Sequence, residues 1–144
     1  MENKELLTEF NDKILGGNRS ILLDVLNLSL RQLQKKFSGE VELYKAEEML
    51  FDEILYRKYG LLSDKIIIDN RVAFKEFFIN DVPDAPIIEQ FVKDYGYTRV
   101  ELAASLGRTV NSWKGLLRRK TTISPAEYNW LLLDLKCHPN NTNI

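Results

Sequence analysis

The sequence has only one cysteine and one histidine among 144 residues, with four prolines and seven glycines. A single cysteine, Cys137, excludes an intramolecular disulfide framework and a cysteine-based zinc site. No run approaches the roughly 18 apolar residues of a membrane span, and the first residues lack the apolar core of a secretory signal. We therefore expect a soluble, cytoplasmic chain without a membrane partner.

Residues that carry catalysis or bind metals are also sparse. Cys137 and His138 are adjacent, but neighbouring helical residues point in different directions and no third ligand stands near them. The acidic residues of 47–53 are typical of a solvated helix face. The Gly-Gly pair at 16–17 lacks the G-x-x-x-x-G-K pattern of a phosphate loop. We predict no enzyme activity, no metal site and no cofactor.

The net charge of −1 conceals an uneven distribution along the chain. Residues 1–96 carry 13 Lys/Arg against 18 Asp/Glu, a balance of −5, whereas residues 97–144 carry 7 against 3, a balance of +4. Between 97 and 122, six basic residues face Glu101 alone. Because charges are screened over about 8 Å at physiological salt, a polyanion responds to this local excess and not to the total.

Within the basic segment, the sequence predicts two short helices joined by a glycine turn. Thr98 and Glu101 have the spacing of a capping box, which starts the first helix at Arg99. Gly107 lies where that helix ends, a position that favours positive φ. Thr109 is a good N-cap for the second helix.

A further helix start is predicted after this segment. Ser124 is a capping serine, Pro125 occupies the first helical position and Glu127 stands three residues after the cap.

The second helix is predicted to be amphipathic, with an apolar inner side and a polar, basic outer side. Trp113 and Leu116, three residues apart, face the core. Asn111, Lys114 and Arg118 form a polar, basic stripe on the outer side. Asparagine and arginine can each bond a base edge bidentately, and lysine can bond a phosphate or a guanine.

These residues resemble the helix-turn-helix of lambda-repressor and Cro-type regulators. T-R-x-E-L-A-x-x-L-G from Thr98 is similar to that family's T-Q-x-E-L-A-x-x-L-G opening, and T-x-x-S-W-x-x-L from Thr109 to the S-x-x-T-W-x-x-W of phage and mobile-element regulators. The resemblance implies base reading near Thr109, Val110, Asn111 and Lys114, and backbone contacts near Arg99 and Arg118. With the neighbouring cations, the predicted DNA-binding residues are Arg99, Arg108, Thr109, Val110, Asn111, Lys114, Arg118, Arg119 and Lys120.

Two positions depart from the family pattern. Arg99 replaces a glutamine, so a charge stands where the family has a side-chain amide. Arg108 replaces a small aliphatic residue after the turn glycine, which leads us to expect a turn more open to solvent.

Apolar spacing predicts a mainly helical N-terminal half. The expected helices span 3–15, 20–37, 45–59 and 71–79. The β-branched run 65–69 is a strand candidate that either pairs with 40–43, pairs across a dimer, or is extended or helical packing. The 20–37 helix is apolar on more than one side, which suits either an internal core or a dimer or partner contact. The contact candidates are Leu23, Leu26, Leu30, Leu33 and Phe37.

The expected fold class is mainly α, with two domains. A helical dimerisation or partner-binding domain, with room for one short β hairpin or strand, covers 1–80. A linker at 81–86, marked by two prolines and turn-forming residues, precedes a four-helix helix-turn-helix domain at 87–139. Residues 140–144 form a tail.

The leading functional hypothesis is a dimeric, sequence-specific DNA-binding regulator, a repressor or autoregulator of the phage or mobile-element type. A second hypothesis is a two-part inhibitor or antitoxin, whose acidic half neutralises another protein while the C-terminal half regulates its own promoter. A third is a helical interaction module that does not bind DNA.

Overall fold

The computed structural model describes residues 3–56 and 70–140, and every regular element within those ranges is an α-helix. This confirms the expectation of a mainly α protein. No helix in the described part has the length and apolar character needed to cross a membrane. The helices are α1 (Asn3–Lys13), α2 (Arg19–Leu26), α3 (Leu30–Ser38), α4 (Lys45–Tyr56), α5 (Asn70–Phe77), α6 (Ala85–Asp94), α7 (Arg99–Leu106), α8 (Val110–Arg119) and α9 (Pro125–Asp134).

The prediction of one continuous helix over 20–37 is wrong, because the chain breaks between α2 and α3. Asn27 ends α2 in the left-handed conformation at φ 54°. Ser29 then caps α3, and its capping box with Gln32 is complete. Asparagine tolerates this conformation better than most residues, and the box satisfies amide groups that a continuous helix would bond internally. The Ser-x-x-Gln spacing was the sequence signal for the break.

The other N-terminal helices lie close to their predicted positions. α1 and α5 each end two residues before the expected limit, and α4 is described to Tyr56. The strand candidate at 65–69 lies outside the described residues. Its suggested partner at 40–43 adopts no strand, and Leu43 is buried as part of the core.

The caps predicted for the C-terminal helices are confirmed. The Thr98 hydroxyl accepts from the Glu101 amide at 3.1 Å, while the Glu101 carboxylate accepts from the Thr98 amide at 3.0 Å. Thr109 caps α8 by accepting from the Ser112 amide. Ser124 forms the same type of box at the start of α9, with proline as the next residue.

One hydrophobic core runs across the predicted domain boundary. α9 packs against α2 and α4 as well as against α7, and buried side chains from both halves belong to one cluster. The expected linker joins this packing: the Ala85 amide donates to the Thr121 carbonyl at 2.8 Å, and the Thr122 hydroxyl donates to the Pro83 carbonyl at 2.7 Å. α6 also begins at Ala85, inside that segment. The two halves therefore share one core.

A buried polar cluster closes the end of this core. The Asn129 side chain accepts from the Ile79 amide at 3.0 Å and donates to the Ile79 carbonyl at 2.9 Å. His138 stacks on Phe77 with centroids 4.3 Å apart. Its Nδ1 accepts from the Asn140 amide, so Nε2 carries the proton and donates to Asn129 Oδ1 at 2.8 Å. His138 is therefore a structural residue held in its neutral form.

Burial lowers the pKa of His138 to about 4, and this makes the stability of the fold depend on pH. In the unfolded chain the His138 imidazole binds a proton near pH 6.5. On acidification the unfolded chain therefore takes up a proton that the folded chain does not bind until about pH 4. We expect the free energy of unfolding to fall as the pH drops from about 6.5 to about 4, with a contribution from His138 of about 3 kcal/mol. Urea unfolding across that range measures it.

His138→Phe is the matched control, because it keeps the stack on Phe77 and removes the titrating group. The variant should lose stability less steeply on acidification than the wild type. Equal slopes in the two proteins would show that His138 titrates normally in the folded state.

Candidate nucleic-acid interface

Helices α7 and α8 are joined by a turn of only three residues, 107–109. Gly107 adopts φ +69°, the left-handed conformation that costs glycine nothing. A β-carbon at this position would lie 2.5 Å from Cβ of Lys45 at the start of α4. The turn therefore touches the N-terminal half at Lys45, while Gly107 and Thr109 remain exposed and only Arg108 is half-buried.

The two sides of α8 differ as predicted. Trp113 is fully buried and Leu116 is nearly so, which fixes the inner side in the core. Asn111, Lys114 and Arg118 are exposed on the opposite side, and we call these three residues the α8 outer face. Within the part of the chain that the structure describes, no residue of the N-terminal half buries them.

Glu89 on α6 connects the start of α7 to the inner side of α8. Arg99 donates to Glu89 from Nε and from Nη2, the latter at 3.1 Å. The Trp113 indole donates to the same carboxylate at 3.2 Å, and Lys93 lies 3.7 Å away. The bond from Arg99 is the main reason that the pKa of Glu89 lies below its usual value.

Arg108 connects the turn to α9. Its Nε and Nη2 atoms donate to Glu127 at 3.1 and 3.2 Å, and its guanidinium lies over the Tyr44 ring, 4.8 Å from the centroid. The Arg108 side chain is 18% exposed and that of Glu127 is 1% exposed. Arg108 is thus mostly buried, and its ion pair joins the α7–α8 turn to α9.

A second buried carboxylate, Glu47, extends this network into α4. The expectation that the acidic residues of 47–53 lie on a solvated face is therefore wrong for Glu47 and for Glu53, which are both buried. Glu47 accepts from the Tyr44 amide at 2.9 Å and from the Ser124 hydroxyl at 2.6 Å. Burial raises the pKa of Glu47 above its ordinary value, and the nearby Glu127 carboxylate adds to the shift. The cap of α9 therefore bonds to both halves of the chain.

The structure divides the predicted DNA-binding residues into three groups. Arg99 and Arg108 are committed to ion pairs, and Val110 packs half-buried against the core. The sequence reasoning missed their partners, Glu89 and Glu127. The Ser124 capping box was the one signal for Glu127. Its pairing with Arg108 had none, because no repeat fixes the distance in sequence between the two residues of a long-range pair. The remaining predicted residues are all exposed: Thr109, Asn111, Lys114, Arg118, Arg119 and Lys120.

The predicted dimer or partner contacts do not form one outer surface. Leu26 and Leu33 are buried in the core of the chain itself, each on the inner side of its own helix. Leu23 is half-buried, and so is Phe37, which lies beneath the Arg19 guanidinium at 4.2 Å. Only Leu30 is well exposed, at 58%.

Comparison with protein families, with curated proteins and with solved structures found no match for this chain. The geometry and charge of the site are therefore what bears on its function.

The two arginine ties should differ in their contribution to stability. Arg108→Met leaves the Glu127 charge buried and without its cation, a loss that typically costs about 3 kcal/mol or more. Arg99→Met should cost about 1 kcal/mol, because Arg99 is 37% exposed and Glu89 keeps Trp113 and Lys93. Urea unfolding at neutral pH gives both values.

Glu127→Gln combined with Arg108→Met is the informative control, because it removes the buried charge together with its partner. The double variant should be more stable than Arg108→Met alone. If Arg108→Met and Arg99→Met cost the same, the Arg108 pair is not the tie described here.

Proposed function

We propose that this protein is a sequence-specific DNA-binding regulator that places α8 in the major groove of double-stranded DNA. The observation that carries the proposal is the α8 outer face, where three side chains suited to base edges and phosphates are exposed together. The opposite side of the same helix is fixed in the core by Trp113. The resemblance of the α7–α8 segment to lambda-repressor and Cro-type regulators supports the same function.

The dimensions of α8 suit this role. A helix of ten residues is about 15 Å long, and the major groove, about 12 Å wide, admits one α-helix. Asn111 lies in the first turn of α8, the part of such a helix that contacts base edges. Its amide suits adenine, and Lys114 suits guanine or a phosphate. Arg118, one helical turn beyond Lys114, suits the phosphate backbone of the DNA.

The charge distribution supports an anionic partner. Arg99 and Arg108 are neutralised by Glu89 and Glu127, so they add little to the outward field. The exposed cations of the segment then lie on α8 and at its C-terminal end. They are Lys114, Arg118, Arg119 and Lys120. A cluster of this kind attracts phosphates and fixes the register of the helix on the duplex.

Regulation would follow from occlusion. One short helix reads only a few base pairs, so useful affinity requires two copies bound to half-sites about 34 Å apart. A homodimer covering such an operator excludes polymerase, which makes repression, including repression of its own gene, the expected outcome. Dimerisation belongs to the proposal, and sedimentation of the chain with and without an operator duplex measures it.

The direct test is selection from a pool of random duplexes, followed by affinity measurements at several salt concentrations. The logarithm of the binding constant should fall steeply with the logarithm of the salt concentration, because bound cations are released from the phosphates. Lys114→Ala should lower that slope by about one unit per protomer.

Lys75→Ala is the matched control, since Lys75 is an exposed lysine on α5, remote in sequence from α8. It should leave affinity and slope unchanged. Failure of the wild-type chain to enrich any duplex would overturn the proposal. Equal effects of the two alanine variants would show that the α8 outer face is not the contact surface.

A further inference from the structure

We propose that Lys45, in the N-terminal half, is part of the same DNA interface and holds a backbone phosphate beside the α7–α8 turn. The inference rests on the proposed function and extends its contact surface beyond the helix-turn-helix segment. Lys45 is the first residue of α4. Nothing in its sequence neighbourhood connects it with DNA, so only the fold brings it to this place.

The first observation is the closeness of Lys45 to the turn. A β-carbon on Gly107 would lie 2.5 Å from Cβ and 2.6 Å from Cγ of Lys45, so the stem of the lysine lies directly against the glycine. The turn immediately precedes α8, whose first turn would enter the groove. The edge of a groove is formed by phosphates, and a lysine held at this turn is in position to meet one.

The second observation is that the cation of Lys45 is available. Its side chain is exposed, and within residues 3–56 and 70–140 its ammonium has no ion-pair partner. By contrast, Arg108 in the turn itself is held by Glu127 and Tyr44. Arg108, the cation predicted at this position from the sequence, is therefore paired inside the fold. Lys45 supplies an exposed cation beside the turn instead.

The third observation concerns electrostatics at the start of α4. The first turn of α4 also holds Glu47 and Glu48, and the Glu47 carboxylate already accepts from the Tyr44 amide at 2.9 Å. The helix N-terminus is therefore capped by a carboxylate, and the ammonium of Lys45 is the group that would attract a phosphate. Contact of its first methylenes with Gly107 also restricts the side chain, so less rotamer freedom is lost on binding.

A contact of this kind positions the protein without reading sequence. Its removal should weaken binding to the selected operator and to random duplex by the same factor. It should also reduce the number of phosphates neutralised by one in each protomer. These two properties separate a phosphate contact from a base contact and from a loss of folding.

The experiment compares Lys45→Gln with the wild type, by measuring binding to the selected and to a random duplex over a range of salt concentrations. Glutamine keeps the β- and γ-carbons that lie against Gly107 and replaces the charged end of the side chain with a shorter, neutral amide. We expect the salt slope to fall by about one unit per protomer, with equal loss on both duplexes. Lys45→Arg should restore most of the slope, and Lys75→Gln should change nothing.

The outcomes distinguish this inference from the function on which it rests. If Lys114→Ala lowers the slope but Lys45→Gln does not, Lys45 lies outside the interface and the regulator proposal stands. A loss confined to the selected duplex would also overturn the phosphate assignment. If the wild-type chain binds no duplex, both proposals fail. Unfolding midpoints of all variants establish that each is folded under the binding conditions.

Discussion

The ion pair between Arg108 and Glu127 is the constraint on which the arrangement of the C-terminal helices depends. Glu127 is almost completely buried, so its charge must be paired where it stands. The arginine that pairs it lies in the turn before α8, and the same carboxylate accepts from the Ser124 amide at the start of α9. Ser124 in turn bonds to Glu47 of α4. This chain of contacts fixes where α8 begins and in which direction its outer face points.

Local features of the sequence predicted much of this fold, because caps and turns are decided by residues three or four positions apart. The boxes at Thr98 and Ser124 and the turn at Gly107 were all found from spacing and are present in the structure. The break at Asn27 was missed although its signal was equally local, since the apolar repeat through residues 20–37 continues across it. A hydrophobic pattern shows which residues are buried and does not show that the backbone between them is one helix.

The roles of the charged residues were harder to predict, for a physical reason. Glu89 pairs with Arg99 across 10 positions, and Glu127 with Arg108 across 19. No periodicity connects such partners, so an arginine committed to an internal pair looks the same in sequence as one that faces DNA. In the folded chain, Arg99 and Arg108 form internal ion pairs, whereas the other cations of the basic segment are exposed. Folding also brings Lys45 from the acidic half to the turn. The exposed set defines the proposed DNA-binding surface.

The central claim is that Asn111 contacts a base edge in the major groove, and atomic substitution in the DNA tests it most directly. Selected operators in which single adenines are replaced by 7-deazaadenine lack the N7 acceptor that asparagine uses. Affinity measurements should show that one such replacement in each half-site weakens binding of the wild type, by roughly 1 kcal/mol or more, and leaves binding of Asn111→Ala unchanged. If every replacement weakens the wild type and the variant equally, Asn111 does not read the groove.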